Sequence, residues 1–239
     1  MVEGPVQVVE ALQTVSAYCE HAEVETVFVD AELDPSQLRS IQQAGPDVEL
    51  CLVAPGVLGA VLSTVNPQPA AALVRIPQRR LEDFVEVDGP VVVMVDVADP
   101  GNVGTMIRTA EAAGVGAVVA CGHTADWTNP KVVRAAAGAC LRLPVVVQSE
   151  PIAVLQALAE TGRPVLAATV HPDAAVYDQV DLTRSVIVLG NEANGLNDET
   201  VQACDRSVTI PLGGPTESLN VATAGAVLCF ESLRQRRHS

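Results

Sequence analysis

Three observations predict an α/β fold built on a mainly parallel sheet, preceded by a small α/β domain. From Val91 onward, short apolar runs alternate with helical patterns. The apolar residues are Val, Leu, Ile and Ala, with aromatics at only 3%, a palette that suits strands buried on both faces. Several apolar runs also break abruptly into glycine, asparagine and acidic residues. Loops at the carboxyl ends of parallel strands have that character where they surround a ligand.

Residues 5–19 read as a helix, with Pro5 in its first turn and Val8, Val9, Leu12 and Val15 on one side. Val24 to Val29 is rich in β-branched residues and reads as a strand. Asp34-Pro35 opens a helix that Gly45-Pro46 ends. Val48 to Val53 is a second strand, Pro55 to Ser63 a short helix, and Ala71 to Ile76 a third strand. A polar linker, 77–89, follows, so the expected division is 1–76, 77–89 and 90–239. In the last region the expected strands are 91–95, 117–120, 145–147, 165–168, 186–189 and 208–210. The expected helices are 103–113, 130–138, 152–161, 198–204 and a final one from Leu219 to Arg236.

Hydrophobic residues make up 49% of the chain and charged ones 18%, which supplies a core and excludes global disorder. No apolar run is long enough to span a bilayer, and the acidic start MVEGPVQVVE does not resemble a secretory signal. Cys19, Cys51, Cys121, Cys140, Cys204 and Cys229 are scattered without a CxxC pair and read as buried thiols of a cytoplasmic protein. The four histidines show no metal-ligand spacing, so no metal is expected. The net charge of −15, with Lys131 as the only lysine, argues against broad attraction to nucleic acid.

Three stretches carry the chemistry. In Asp99-Pro100-Gly101-Asn102, Asn102 reads as the N-cap of a helix that Gly114 closes, with Met106, Ile107, Ala110 and Ala113 as its buried stripe. Arg108 lies off that stripe, and spacing alone favours a surface pair with Glu111 at i+3. The second stretch, Gly190-Asn191-Glu192 with Gly195, follows a strand, and its polar residues suit a ligand-facing loop. The third runs from Ile210 through Gly213-Gly214 to Ser218-Leu219-Asn220, where Ser218 reads as the cap of the last helix. Gly114-Val115-Gly116 precedes a strand and lacks a third glycine, so a dinucleotide-binding motif fails on context.

DPGNVGTMIRTAEAAG at 99–114, VLGNEANGL at 188–196 and IPLGGPTESLNVATAGAV at 210–227 together resemble, in order, the motifs of the SpoU (TrmH-like) family of RNA 2′-O-ribose methyltransferases in the SPOUT superfamily. Val2-Glu3-Gly4-Pro5 through Ala11-Leu12 likewise looks like the opening of that family's appended substrate-binding domain. Relatives carry a basic segment before that opening, so some RNA-binding charge is expected to be missing from this sequence.

The resemblance implies a C-terminal trefoil knot, S-adenosylmethionine as methyl donor, and a ribose 2′-hydroxyl of RNA as acceptor. Ribosomal (23S) RNA is the favoured target, with a transfer RNA enzyme, a base methyltransferase and a non-catalytic RNA-binding homologue as alternatives. It implies a homodimer with active sites at the subunit interface. It places Leu189, Gly190, Asn191, Ile210, Leu212 and Leu219, with Thr169 beside them, around the cofactor. It assigns the acceptor side to Arg108, either as a base or as a stabiliser of alkoxide charge, with Asn102, Glu192, Ser218 and Asn220 positioning it and the ribose. Arg75, Arg79 and Arg80 are then either an RNA backbone contact or a solvated cluster.

Overall fold

The computed structural model describes residues 1–18, 22–62, 66–77, 79–84 and 87–238. Cys19 and His21, the expected helix ends at Cys19 and Ser63, and Gln78 of the linker lie outside the described residues.

The first sheet holds β1 (Val2–Glu3), β2 (Glu23–Asp30), β3 (Glu49–Val53) and β4 (Ala70–Arg75) in the order β1-β4-β2-β3. β2 and β3 run parallel, while β4 is antiparallel to both β1 and β2. Val24, Val27 and Val29 alternate onto one face, where they pack with Val8 and Leu12 of α1 (Pro5–Tyr18) and Ile41 of α2 (Pro35–Ala44). Asp34 caps α2 by accepting from Ser36 N, with Pro35 at the first helical position. The short helix α3 (Val57–Val61) lies on the other face, where Leu58 and Leu62 meet Ala71 and Phe28.

The second sheet is wholly parallel. It contains β5 (Val91–Val95), β6 (Ala117–Cys121), β7 (Val145–Gln148), β8 (Val165–Ala168), β9 (Ala175–Val176), β10 (Val186–Leu189) and β11 (Arg206–Thr209). Their order is β7-β6-β5-β10-β8-β11-β9. Every residue of β5, β6 and β10 is buried, as continuous apolar strands under helices on both faces must be. Val92 and Met94 face α4 (Pro100–Ala112) and α9 (Val221–Arg236), while Val91, Val93 and Val95 face α7 (Pro151–Ala159). A Cβ on Gly225 of α9 would lie 2.9 Å from Leu189 Cδ1 and clash with Met106 Sδ, so α9 sits tightly on α4.

The chain leaves β5 toward β6 and β7 on one side, then crosses to β8 and sets β10 between β5 and β8. Strand order therefore reverses at β5 and β10, and the crevice outside their carboxyl ends is where a ligand site is expected in such a sheet.

Three local expectations are corrected. The helix with Arg108 starts at Pro100, and its N-cap is Asp99, which accepts from Asn102 N at 2.8 Å; Asn102 sits inside the first turn with its side chain free for other work. Gly114 does close it: at φ +65 its N–H reaches Glu111 O while Val115 N–H reaches Ala110 O, a Schellman ending. The last helix starts at Val221 with Asn220 as its cap, not Ser218. The expected helix 130–138 ends at Ala136 as α5 (Pro130–Ala136), because Ala137 and Gly138 both take left-handed backbone, and a turn of helix that was not expected, α6 (Ala139–Arg142), follows.

Ion pairs join the two sheets' units through this broken helix. The buried Glu3 carboxylate of β1 lies 3.5 Å from Arg134 of α5, and Arg142 at the end of α6 reaches Glu10 of α1 at 3.3 Å. The end of the linker is fixed from the other side by the buried Arg163, which donates to Gly89 O at 2.7 Å and to Val87 O.

Candidate active site

A cavity of about 830 Å³ opens at the carboxyl ends of β8, β10 and β11. Its floor is apolar, from Leu189, Ile210, Leu212 and Leu219 with Leu228 of α9. Thr169, Gly190, Asn191, Glu192 and Ser218 supply polar groups around it. All seven residues expected around the cofactor thus line one cavity, together with Glu192 and Ser218. Asn102, Asn220 and Arg108 do not line it.

The Gly190–Gly195 loop is shaped by its own backbone. Asn191 and Gly195 exchange N–H···O bonds of 3.1 and 2.9 Å, closing a small bridge. Asn191 Oδ1 accepts from Ala193 N and Asn194 N at 2.9 and 3.2 Å, while its Nδ2 donates to Asp96 O at 2.8 Å. Asp96 ends β5 with φ +56 and holds His123 N at 2.7 Å through Oδ1. Left-handed backbone at a non-glycine residue costs energy and persists where the surroundings fix it, and here Asp96 ties the β5 end to the β10 loop. Gly213 and Gly214, by contrast, face open space, so close approach explains Gly190 and not this pair.

Glu192 crosses the crevice. Its carboxylate accepts from Asn102 Nδ2 at 2.9 Å, Asp99 N at 3.2 Å and Ala98 N at 3.3 Å. Asn102 Oδ1 in turn accepts from Asn220 Nδ2 at 2.9 Å, while Asn220 Oδ1 caps α9 through Ala222 N and Thr223 N. One chain of bonds, Glu192–Asn102–Asn220, therefore joins all three motif stretches. Burial raises the affinity of Glu192 for a proton, but bonds from Asn102 and backbone N–H groups outweigh it and hold its pKa below the usual glutamate value.

That direction fixes a pH dependence. A carboxylate with a depressed folded-state pKa contributes stability above its ordinary pKa and loses it as pH falls through the depressed one. The Ala98 and Asp99 amides are expected to stay protected from hydrogen exchange at neutral pH and to open only below the usual glutamate range. In Glu192→Gln the acidic transition should disappear. Equal pH profiles for the two proteins would show that the carboxylate does not hold this loop.

Arg108 is exposed and makes no hydrogen bond or ion pair among the described residues. The expected pair with Glu111 is not formed, since Glu111 is bound by Arg142, with Nε to Oε1 at 2.6 Å. Of the Arg75, Arg79 and Arg80 cluster, Arg75 is paired with Glu25 and Arg80 lies 3.4 Å from Glu82. The cavity also has walls that sequence reasoning missed: Val170, His171 and Pro172 after β8, and Val201 and Gln202 of α8 (Asp198–Gln202). The first group was within reach, because Thr169 already marked the end of β8 and ligand loops follow such ends.

Burial pushes the Cys121 and Cys229 thiols up to about 12 and those of Cys140 and Cys204 to about 11, so these four are poor nucleophiles. Among the described residues no three His, Cys, Asp or Glu side chains gather into a metal-binding group, and no helix is long and apolar enough to cross a membrane.

The SpoU rRNA Methylase family model matches residues 89–230. The 23S rRNA (guanosine(2553)-2′-O)-methyltransferase RlmP of Bacillus subtilis is 34% identical over 82% of this chain and 77% of its own length. The 23S rRNA (uridine(2479)-2′-O)-methyltransferase of Streptomyces viridochromogenes is 37% identical over 72% of this chain, a match spanning 59% of that relative. Among solved structures, the SpoU methyltransferase AviRb of Streptomyces viridochromogenes in complex with AdoMet superposes with a TM-score of 0.84 at 28% identity, covering 99% of this chain and 89% of that one.

Proposed function

This chain belongs to the SpoU rRNA Methylase family, and from that premise we propose that it transfers a methyl group from S-adenosylmethionine to a ribose 2′-hydroxyl of 23S ribosomal RNA. The observation that carries the reading is the Glu192–Asn102–Asn220 chain of bonds at the rim of the cavity, with Arg108 unpaired on the same helix as Asn102.

The cavity suits the cofactor. About 830 Å³ falls in the range of small-molecule sites, which combine apolar walls with a few placed polar groups. Leu189, Ile210, Leu212 and Leu219 would sandwich the adenine, and Thr169 and Gly190 would meet its polar edges and the ribose, with Asn191 holding the loop in shape beside them. When bound, the cofactor supplies a methyl group on an electron-poor sulfonium. The chain's own tasks are then to orient the acceptor hydroxyl and ease the loss of its proton to water. A guanidinium carries five N–H donors and no acceptor, so Arg108 serves as a donor that stabilises developing alkoxide charge rather than as a base. Asn102 and Asn220, fixed by Glu192, hold the start of α4 against the start of α9, and Ser218 faces the cavity beside them.

We assign 1–76 as the RNA substrate-binding domain, 77–89 as the linker and 90–239 as the methyltransferase domain, working in the cytoplasm. The separate first sheet and the ion pairs that dock it on α5 and α6 support that division. A homodimer is proposed as well. Phe230 of α9 is 48% exposed, and Arg108 lies outside its own chain's cavity, as an active site completed at a subunit interface would have it. The trefoil knot is part of the same proposal, supported by the insertion of β10 between β5 and β8 and the return of α9 onto α4.

The test is labelled methyl transfer to 23S RNA from cells lacking the gene, followed by alkaline hydrolysis. A 2′-O-methyl leaves an alkali-resistant dinucleotide carrying the label. Label released in mononucleotides would mean base methylation, and no incorporation would favour a non-catalytic RNA-binding homologue.

A further inference from the structure

Arg108 and Glu111 stand one turn apart on α4, the i,i+3 spacing at which opposite charges pair. Glu111 is taken from outside the helix instead. Arg142 at the end of α6 presents Nε to Oε1 at 2.6 Å and Nη2 to Oε2 at 3.4 Å, so both carboxylate oxygens are engaged. Its Nη1 is steadied in turn by Glu10 at 3.3 Å and the Thr14 hydroxyl at 3.4 Å, both on α1. The pair is partly shielded, with Glu111 30% and Arg142 25% exposed. A forked arginine–carboxylate contact in that setting is stronger than the solvent-exposed pair Arg108 could offer.

We propose that Arg142 is a positioning residue for methyl transfer: by occupying Glu111 it keeps Arg108 unpaired and available to the acceptor. The inference rests on the reading of Arg108 as the acceptor-side group. Without Arg142, Glu111 would turn to its neighbour on the helix. An i,i+3 pair of ordinary strength would then hold Arg108 in about two thirds of the molecules. Glu111 would also bring a negative charge beside a centre that must itself become negative.

The full-length chain is assayed with labelled S-adenosylmethionine and protein-free 23S RNA from cells lacking the gene. Arg142→Met is expected to lower kcat about threefold while cofactor affinity by calorimetry stays unchanged. Adding Glu111→Gln should restore kcat, because an amide cannot form the competing ion pair. Arg142→Lys, which keeps a charge at the site, should lose less and be rescued by the same second change; it carries the test if Arg142→Met does not fold. Wild-type kcat in the Arg142 variants would overturn the proposal. So would a loss that Glu111→Gln leaves uncorrected, since a purely structural role through Glu10 would not be rescued that way. Arg108→Ala run in parallel separates the two readings. If it turns over normally, the acceptor role has failed and the proposal with it. If it is inactive and rescue is absent, the Arg142 proposal alone has failed.

Discussion

Arg108→Ala is expected to reduce methyl transfer at least about 100-fold while leaving the affinity for S-adenosylmethionine unchanged. The two halves of that result have separate origins. Arg108 is not among the residues lining the cavity, and its side chain makes no hydrogen bond or ion pair among the described residues, so truncating it breaks no polar side-chain contact there. Its loss should register only where charge builds on the acceptor oxygen. A positioned donor at such an oxygen typically contributes about 10²–10³ in kcat. Arg108→Lys should recover only part of the rate, because an ammonium keeps the charge but not the planar fork. Calorimetry with cofactor alone and single-turnover kinetics with RNA separate binding from chemistry. Turnover within a few-fold of wild type in Arg108→Ala would remove Arg108 from the acceptor site.

The sheet was legible because its signal is local. Buried parallel strands read as unbroken apolar runs, and β5, β6 and β10 do so. The motif loops were legible for a related reason: glycine and asparagine directly after such a run have few other uses. Helix starts were less so. Asp99 and Asn102 are both capping types, and Pro100 at the first helical position was the signal that should have decided for Asp99. Ser218 and Asn220 offered no such tie-breaker, and Asn220 takes the cap because its Nδ2 also finds Asn102.

What depends on distant residues could not be read. Ala135-Ala136-Ala137 has high helix propensity, yet the helix ends at Ala136, just before Gly138 packs against Glu10 of α1. A Cβ on Gly138 would stand 2.7 Å from Glu10 Oε1. The Arg108–Glu111 pair was a sound expectation from spacing, overturned by an arginine far along the chain. The ion pair of Arg75 follows the same logic. The strand pairing of β2 with β4 brings Glu25 to Arg75, and nothing in the local sequence announces it.

Gly190→Ala is expected to weaken S-adenosylmethionine binding about 10-fold or more, the equivalent of the roughly 1–3 kcal/mol that forcing a methyl into filled space costs. The smallest possible side chain suffices, because the obstacle is backbone. A Cβ at Gly190 would lie 2.5 Å from Leu196 N and 2.6 Å from Gly195 O. Neither atom can swing away as a side-chain end could. Relief requires the Asn191–Gly195 bridge to open, and that bridge carries Asn191 and Glu192. The cavity wall and the Glu192–Asn102 link should therefore fail together, so both cofactor affinity and the protection of the Ala98 and Asp99 amides should fall. Two neighbours calibrate the result. Gly195→Ala meets no atom but adopts φ +66, so it should cost only the strain of a left-handed alanine, about 1–2 kcal/mol. Gly213→Ala faces open space without a left-handed backbone and should bind cofactor as the wild type does. Calorimetric titration of the three variants ranks them, and equal affinities for Gly190→Ala and Gly213→Ala would mean that the cofactor does not depend on this loop.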